Sequence, residues 1–340
     1  MNELRALLKL HYDWYPKMQI IDAVKLIYQN EFGGGHLIPD ESVSLAYLKE
    51  ECAALDGVDQ ERYTDIGNGM VRFNLRNDEL NLEIINRIFV LSANNHGGDM
   101  ESFKEKLNLI YELPFDRGEI DKLMKSYCEA GYPMVRHSDI YRENYNPAYR
   151  VIEKKYVQLI AVCGAISSKI NVVFGIDGMC GSGKSTIAGL LRDIYDCDII
   201  HMDDFFLPPS LRTEERMNEI GGNIHYERFR EEVADKIKSG KPFEYRVFDC
   251  SIMDYSGTKT VNPQNLIIVE GSYSLHPMYD SIYDLELYIE ISAEVQKQRI
   301  LARDGEFMWD KFENIWIPME NRYFSEFKIA TKGCFFLWGE

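Results

Sequence analysis

The chain has 340 residues, which is long enough for about two domains. Because 45% of the residues are hydrophobic and 12% are aromatic, these domains can bury hydrophobic cores. Its net charge of −17 and pI of about 4.9 exclude an extensive surface for nucleic acid or anionic membranes. No apolar run is long enough for a membrane span, the start at Met1 has no signal-peptide pattern, and the seven cysteines form no CxxC pair. We therefore expect a cytoplasmic protein with neither a nucleic-acid nor a membrane partner. A homo-oligomer stays open.

The first half, residues 1 to about 146, has mainly the pattern of helices. Asp40 and Asn77 are expected N-caps, because their side-chain oxygens can accept from free first-turn amides. A further helix is expected from 147 to about 168, since Asn146-Pro147 is a typical helix start, and we place a domain boundary near residue 165 in this linker helix. The other predicted elements are helices at 2–11, 17–31, 40–54, 77–94, 99–112 and 118–130, and a short strand at Met70–Asn74.

The loops of this half carry its less ordinary residues. His36, His96 and His137 lie in three separate loops without metal-ligand spacing, so surface or capping roles are expected for them. The segment from His137 to Arg150 is rich in tyrosine and arginine. It either lines a second ligand pocket or an interdomain cleft, or packs as a connector, which we favour. The role of residues 1–165 is left unassigned.

The second half alternates strands and helices, and its strands are apolar. This alternation indicates a parallel sheet covered on both faces. We predict a doubly wound α/β P-loop domain over residues 166–340, preceded by the mainly α-helical N-terminal domain. The predicted strands are 171–177, 198–202, 265–270 and 284–291, and the predicted helices are 184–195, 224–239, 293–304 and 311–329.

Residues Gly178 to Ser185 match the phosphate-binding pattern G-x-x-x-x-G-K-[ST] between an apolar strand and an amphipathic helix. The glycines let backbone amides face phosphate groups, and the start of the helix adds positive potential. Lys184 is expected to reach the β- and γ-phosphates and Ser185 to bind Mg²⁺. The predicted nucleotide-binding residues are Gly178, Gly181, Ser182, Gly183, Lys184, Ser185 and Thr186.

Carboxylates follow two of the predicted strands, where parallel strands open onto a ligand crevice. Asp203 and Asp204 follow the strand at 198–202, and Asp203 is the candidate base that takes a proton from an acceptor hydroxyl. Glu270, followed by Gly271, ends the strand at 265–270 and is suited to the Mg²⁺ shell, because hard cations prefer oxygen ligands. The alternatives are turn capping by either aspartate and a simple strand-end charge at Glu270.

Arg299 and Arg303 have the i, i+4 spacing that places both side chains on one face of a helix. Guanidinium groups match phosphate oxygens and can close over a γ-phosphate. The alternative is a solvated helix face paired with nearby acids.

The order of these four segments resembles the phosphoribulokinase/uridine kinase family of P-loop kinases over residues 165–335. The matching segments are Gly178–Thr186, Asp203–Phe206, Glu270-Gly271 and Arg299/Arg303. The resemblance implies transfer of the ATP γ-phosphate to a hydroxyl of a small metabolite. It also implies Asp203 as the catalytic aspartate, Glu270 as the metal-shell acid, and both arginines as lid residues. Nicotinamide riboside kinases carry a similar Asp-Asp-Phe-Phe segment.

The acceptor side departs from the uridine kinase pattern, because residues 243–255 do not contain the His-Ser-Arg segment whose histidine and arginine read a pyrimidine in that family. A nucleoside acceptor is therefore implied by likeness alone. The candidate acceptor contacts, each with a cap or surface pair as its alternative, are Asp204, Asn223, His225, Tyr226, Glu227, Arg228, Tyr245, Arg246 and Asp249.

These features together predict an ATP- and Mg²⁺-dependent kinase acting on a small hydroxylated metabolite, with a nucleoside as the first expectation. One alternative is a nucleotide-controlled switch in which the helical half senses a ligand or partner. Another is a pair of enzymes acting on consecutive metabolites. An acceptor-side base such as Asp203 favours the kinase, because a switch has no need of one.

Overall fold

The computed structural model describes residues 1–34, 38–57, 61–76, 80–262, 264–332 and 335–339. The chain divides into two compact units, Met1–Gly164 and Ala165–Glu340. Among the described residues, no helix combines the length and apolar character that crossing a membrane requires. His36 and Asn77, named above as a loop histidine and a helix cap, lie outside the described residues.

The first unit is mainly helical and also contains a small antiparallel sheet. Its strands are β1 (Tyr63–Gly67), β2 (Met70–Asn74) and β3 (Tyr149–Glu153), with β2 in the middle. The predicted strand at Met70–Asn74 is therefore confirmed. The α-helices are α1 (Asn2–Trp14), α2 (Ile20–Phe32), α3 (Glu41–Ala53), α4 (Leu82–Asn95), α5 (Met100–Leu107), α6 (Arg117–Glu129), α7 (Asp139–Tyr145) and α8 (Ile160–Ser167).

The helix predicted from 147 to 168 is wrong over its first half. Asn146 has a φ of 40° and ends α7 instead of starting a helix. The chain then forms β3, whose Val151 and Ile152 pair with β2, because β-branched side chains fit a pleated surface well. A 3₁₀ turn over Lys154–Leu159 follows, and the α-helix begins only at Ile160.

The core of the first unit forms where α2 packs against α1, α5, α6 and the sheet. Phe103 is fully buried between the rings of Tyr28 and Phe32, whose centroids lie 5.4 and 5.2 Å away. Asp40 caps α3 as predicted, accepting from the amides of Ser42 and Val43.

The second unit contains a five-stranded parallel sheet with helices, which confirms the predicted P-loop α/β fold. The strands of the unit are β4 (Val172–Gly178), β5 (Asp198–His201), β6 (Phe243–Asp249), β7 (Asp254–Val261), β8 (Leu266–Glu270), β9 (Leu285–Glu290) and β10 (Phe335–Trp338). The parallel sheet has the order β10-β9-β4-β8-β5, and β6 pairs separately with β7. The central strand β4 leads into the loop Gly178–Ser185, which we call the phosphate loop after its sequence pattern. The α-helices are α9 (Lys184–Tyr195), α10 (Glu214–Asn218), α11 (Tyr226–Phe229), α12 (Ala293–Lys311) and α13 (Ile317–Phe327).

Two predicted helices of this unit are interrupted, and a third, predicted at 293–304, is followed by a kink. The helix predicted at 224–239 consists of α11 and a π-helical turn over Arg230–Ala234. Gly305 has a φ of 76° and kinks α12 one residue beyond the predicted end at 304. The helix predicted at 311–329 begins as a π-helical turn over Phe312–Trp316 before α13. The antiparallel hairpin β6–β7 and the edge strand β10 were not predicted.

Candidate functional site

The phosphate loop leaves β4 at the centre of the sheet and runs into α9. Gly178 has a φ of 150°, and a Cβ at this position would lie 2.2 Å from the carbonyl oxygen of Ile289 on β9. Gly181 and Gly183 have φ values of 76° and 95°, in the region that favours glycine. The loop therefore needs glycine at all three positions. At Gly178 the reason is the close approach of β9, and at Gly181 and Gly183 it is the backbone conformation.

Lys184, the first residue of α9, folds back into this loop. Its Nζ donates to the carbonyl oxygens of Gly178 at 2.7 Å and Met179 at 3.0 Å, and the side chain is buried. Ser182 Oγ is also buried and has no hydrogen-bond partner among the described residues. A buried cation and an unpaired hydroxyl in one loop fit an anionic oxygen-rich ligand, because buried polar groups otherwise find partners.

Asp177, directly before the loop, was not predicted as a site residue. It is fully buried, and its carboxylate accepts from the Gly178 amide at 2.7 Å, the Leu275 amide at 3.0 Å and the Tyr323 hydroxyl at 2.8 Å. Burial raises the pKa of Asp177 to about 6, so the carboxylate is ionised at neutral pH. It holds the first glycine of the loop through that residue's amide.

Ser185, in the first turn of α9, meets Glu270 at the carboxyl end of β8. Ser185 Oγ donates to Glu270 Oε1 at 3.0 Å, and His201 Nδ1 lies 2.5 Å from the same oxygen. The hydrogen bond to Glu270, together with its negative charge, raises the pKa of His201. A hydroxyl and a carboxylate so close together form a donor set of the kind that Mg²⁺ accepts. His201 was not predicted as a site residue.

Asp203 and Asp204 are adjacent in sequence but differ in surroundings. Asp204 is buried, and its Oδ2 accepts from Tyr245 OH at 3.0 Å and Lys259 Nζ at 2.8 Å. Asp203, in contrast, is exposed. Partial desolvation raises the pKa of Asp203, and the charge of Glu270 acts in the same direction while Lys184 opposes it. Asp203 is thus the aspartate that a second ligand can reach.

The two arginines of α12 are separated by the structure. Arg299 Nη1 lies 3.3 Å from the carbonyl oxygen of Gly181 and 3.5 Å from that of Ser182. Arg303 is exposed, and its Nε donates to Asp304 at 2.8 Å. Arg299 therefore lies at the phosphate loop, whereas Arg303 is paired away from it.

Further contacts fix the outer side of the phosphate loop. The Cys180 amide donates to Glu320 of α13 at 2.9 Å, and Glu320 also accepts from Ser272 at 2.6 Å. Gln296 of α12 donates to the Cys180 carbonyl at 3.0 Å. Two helices and the turn after β8 thus hold the loop, and nothing in the spacing of these residues predicts their convergence.

Arg228, which is buried, and Arg246, which is exposed, are two of the acceptor candidates and belong to one polar cluster around Glu232. Glu232 accepts from Arg228 Nη1 at 3.3 Å and from Arg246 Nε at 2.6 Å. The Arg228 guanidinium lies 4.3 Å from the Phe205 ring, and Tyr255 is 4.8 Å from Arg246. These contacts attach the hairpin β6–β7 to α11, so both arginines already have structural partners.

The remaining acceptor candidates are dispersed around this region. His225 Nδ1 and Asn223 Oδ1 are buried without a hydrogen-bond partner among the described residues, and burial lowers the pKa of His225. Tyr226 donates to Glu219 at 2.7 Å, and Glu227 pairs with Arg216. Asp249 is on the surface, where it accepts from the Ser251 amide and hydroxyl. Tyr245 is buried with its hydroxyl on Asp204, and Thr186 is exposed beside Ser185.

Comparison with known proteins gives sequence relatives that are described as uridine kinases. The chain is 28% identical over 170 residues to a uridine kinase of Clostridium perfringens, covering 45% of this chain and 80% of the relative. It is 30% identical over 145 residues to a uridine kinase of Clostridium botulinum, covering 39% of this chain and 68% of the relative. A solved structure described as a possible uridine kinase from Bacillus stearothermophilus has 19% identity and a TM-score of 0.41, covering 53% of this chain and 97% of that one. No protein-family model matches.

The description of the sequence relatives as kinases agrees with the P-loop fold of the second unit and with the phosphate loop at the centre of its sheet. More than two thirds of the C. botulinum relative is matched at 30% identity. The strand–loop–helix setting of Gly178–Ser185 is present, with Lys184 inside the loop and Glu270 beside Ser185. The chain belongs to the uridine kinase-like family of P-loop kinases, and it is a phosphotransferase.

Proposed function

We propose that the second unit transfers the γ-phosphate of ATP to a hydroxyl of a small metabolite, and that the acceptor is a nucleoside. The observation that carries the proposal is the grouping of Lys184, Ser185 and Glu270 at one loop, with Asp203 exposed and close enough for the charges of Lys184 and Glu270 to act on its pKa. Phosphoryl transfer needs cations around the phosphates and a base for the acceptor hydroxyl, and these residues supply both.

On the donor side, the amides of the loop Gly178–Thr186 and the Lys184 ammonium bind the phosphates of ATP. Lys184 exchanges its contacts with the Gly178 and Met179 carbonyls for phosphate oxygens. Arg299 adds a second positive charge at the loop. Fixed cations in this position stabilise the charge that develops on the phosphate oxygens during transfer.

Ser185 and Glu270 are the residues that would hold Mg²⁺. Their oxygens are 3.0 Å apart and fit the preference of this ion for hydroxyl and carboxylate ligands. When bound, Mg²⁺ supplies positive charge that offsets the phosphate charges.

On the acceptor side, Asp203 accepts the proton of the attacking hydroxyl. Its raised pKa follows from desolvation and from the neighbouring Glu270 charge, which makes Asp203 a better proton acceptor than a free carboxylate. Asp204 cannot take this role, because Tyr245 and Lys259 occupy its Oδ2.

The nucleoside acceptor rests on the names of the relatives, which are uridine kinases, and on two unpaired polar atoms. Asn223 Oδ1 and His225 Nδ1 are buried and without partners among the described residues. Both are able to form hydrogen bonds with the polar edge of a base or with sugar hydroxyls. Arg228 and Arg246 are omitted from the proposed acceptor contacts, because Glu232 engages them.

The test is a product analysis. The purified full chain is incubated with ATP, Mg²⁺ and a panel of nucleosides and sugars, and products are identified by mass spectrometry. We expect a nucleoside monophosphate. If only a sugar were phosphorylated, the assignment of a nucleoside acceptor would be wrong, but the proposed kinase activity would stand. ATP hydrolysis without any phosphorylated acceptor would favour a nucleotide-controlled switch.

The role of Asp203 is tested with a matched pair of variants. Asp203→Asn should bind ATP as the parent does, yet lose transfer by about 10²–10⁴-fold, the usual contribution of a general base. Asp235→Asn, an exposed aspartate beyond the π-helical turn, should retain parental activity. Parental turnover in Asp203→Asn would show that the base has been assigned wrongly.

A further inference from the structure

The first unit contains a cavity of about 550 Å³ that the phosphotransfer chemistry does not use. Its wall is formed by α2, α3, α4 and β3, and all its residues lie outside the phosphate loop. A cavity of this size accommodates a small metabolite. The side chains that matter for its chemistry are Lys25, Gln29, Ser44, Tyr47, Phe89 and Tyr149.

Two cations at this wall have no carboxylate in contact among the described residues. In the part of the chain that the structure describes, the one hydrogen bond of Lys25 Nζ is to the carbonyl oxygen of Val135, at 3.2 Å. Arg72 is 6% exposed, and it lies behind the wall with its Nε on Gln29 at 2.9 Å and its guanidinium 4.8 Å from the Tyr149 ring. Arg72 Nη2 has no hydrogen-bond partner in the described ranges. Because this guanidinium is buried and has no carboxylate partner there, its positive charge makes the adjoining cavity favourable for an anion.

The acids near the cavity are engaged elsewhere. Asp40 also lines it, but its Oδ1 accepts from the Ser42 and Val43 amides at the start of α3. Asp22 accepts from His137 and from Ser138. The other lining cation, Arg150, is paired with Glu51 at 2.7 Å. The charges of Lys25 and Arg72 are therefore not neutralised by direct contact.

The polar part of the wall is held rigidly. The hydrogen bonds assign the His137 tautomer: Nδ1–H donates to Asp22 at 2.8 Å, and Nε2 accepts from Tyr149 OH at 2.6 Å. The His137 ring stacks on Tyr141 with centroids 4.2 Å apart. The hydrogen bond to His137 thus fixes the Tyr149 hydroxyl, while Tyr149 also lines the cavity. Such support is typical of pre-organised binding sites.

The opposite side of the cavity is aromatic. Tyr47 leaves 66% of its surface exposed, and Phe89 lies 5.5 Å from the Arg150 guanidinium. An exposed tyrosine ring at the mouth of a cavity offers a stacking surface, because aromatic rings gain from burial and from offset stacking.

We propose that this cavity binds a small organic anion in which a phosphate or carboxylate is joined to a flat ring. The anionic group lies against Lys25 and Gln29 in the field of Arg72, and the ring packs on Tyr47 and Phe89. The sequence allows the segment His137–Arg150 to line a pocket or to pack as a connector. Tyr149 and Arg150, at the end of this segment, line the cavity, so in this proposal they form part of a ligand pocket.

Lys25 is suited to this role for a further reason. Burial lowers the pKa of Lys25 to about 8, and the charge of Arg72 acts in the same direction. A bound anion would offset both effects. At pH 8 the unbound lysine is also partly neutral, which makes it reactive towards acylating reagents.

The first experiment measures binding by calorimetry at pH 7 with the full chain. Lys184→Ala is used as the background so that the phosphate loop contributes less. The probes are phenyl phosphate, benzoate and the uncharged benzyl alcohol. We expect at least one anionic probe to bind about 10-fold or more tightly than benzyl alcohol, and the two anions distinguish phosphate from carboxylate. The proposal would be overturned if neither anion bound at concentrations up to about 10 mM, because any remaining association would then be very weak.

Variants locate the binding. Lys25→Gln should weaken the anionic probe about 10-fold, which corresponds to about 1.4 kcal/mol. Lys9→Gln, an exposed lysine on α1, should leave the affinity unchanged. Equal losses in both variants, or none in either, would contradict the assignment of Lys25.

A second measurement needs no variant. Limited acetylation at pH 8 is followed by peptide mass spectrometry of the full chain. Lys25 should react faster than Lys9, and the anionic probe should slow the reaction of Lys25 alone. If the probe protects neither lysine, or both to the same extent, the cavity is not its binding site.

Discussion

Arg299 and Arg303 lie one helical turn apart on α12, yet they make opposite contacts: Arg299 reaches the carbonyl oxygen of Gly181, and Arg303 pairs with Asp304. The spacing treats the two residues alike. The structure makes Arg299 the more important of the two for phosphate binding, because a guanidinium at the phosphate loop can act on phosphate oxygens. The exposed ion pair of Arg303 contributes little to stability.

This ranking predicts different kinetic effects. Arg299→Ala should lower kcat/KM by about 10–100-fold, since it removes a fixed positive charge beside the transferred group. Arg303→Ala should change kcat/KM by no more than about threefold, a range appropriate to an exposed pair. Steady-state kinetics with ATP as the varied substrate decides the matter, and a larger loss in Arg303→Ala would reverse the ranking.

Asp204 is predicted to be structural. Asp204→Asn leaves Lys259 without its carboxylate and disturbs the bond from Tyr245, so the free energy of unfolding should fall by about 1–3 kcal/mol. Tyr245→Phe removes one of the two bonds and should cost about 1 kcal/mol. Urea denaturation gives both values. Asp203→Asn is the matched control, and an equally large loss there would refute the distinction between the two aspartates.

Asp177 is predicted to make stability depend on pH in a defined direction. Its native pKa of about 6 lies above the unfolded value near 3.8. The native state therefore holds the proton more tightly, and the contribution is full below about pH 3.8 and is lost as pH rises to about 6. Asp177→Asn removes this dependence. The stability difference between parent and variant should be larger at pH 5 than at pH 7.

The same variant tests the hydrogen bonds of Asp177. At pH 7 an asparagine cannot accept with both side-chain atoms, so the Leu275 amide or the Tyr323 hydroxyl loses a partner. We expect a loss of about 1–3 kcal/mol in the free energy of unfolding. Tyr323→Phe is the control for one bond and should cost less. A variant as stable as the parent at both pH values would contradict the buried ionised carboxylate.

His137 predicts the opposite pH dependence in the first unit. Burial lowers its pKa to about 4, with the nearby Arg72 and Lys25 charges acting the same way and Asp22 opposing them. Because the native pKa lies below the unfolded value of 6.5, the stability is full above 6.5 and falls as pH drops towards 4. His137→Gln should show a smaller fall. Fluorescence of Trp14, with Trp309, Trp316 and Trp338 replaced by Phe, reports unfolding of this unit.

The donor side could be predicted because its residues are contiguous. Gly178 to Ser185 form one motif, and the strand before it and the helix after it have clear periodicities. Long-range partners are invisible to such reasoning. Lys259 meets Asp204 across 55 positions, and Glu320 meets Cys180 across 140. The proposed difference between Asp203 and Asp204 depends on the first of these contacts, because Lys259 engages Asp204.

Two errors in the fold have local physical causes. The hairpin β6–β7 escaped prediction because β7 is mostly exposed and polar, with a glycine at 257, so it lacks the apolar alternation of a half-buried strand. The helix expected at Asn146-Pro147 was wrong because pairing of Val151 and Ile152 with β2 outweighed a good start signal. Tertiary pairing overrides local preference in both places.

The bonds of Lys184 to the Gly178 and Met179 carbonyls have a consequence for affinity. They bend the loop during folding, so the conformational entropy of that bend is lost before any nucleotide arrives. The nucleotide then replaces existing bonds of the lysine instead of adding new ones. In the proposed function, Lys184 therefore adds to the affinity only the difference between its bonds to phosphate oxygens and its bonds to the two carbonyl oxygens.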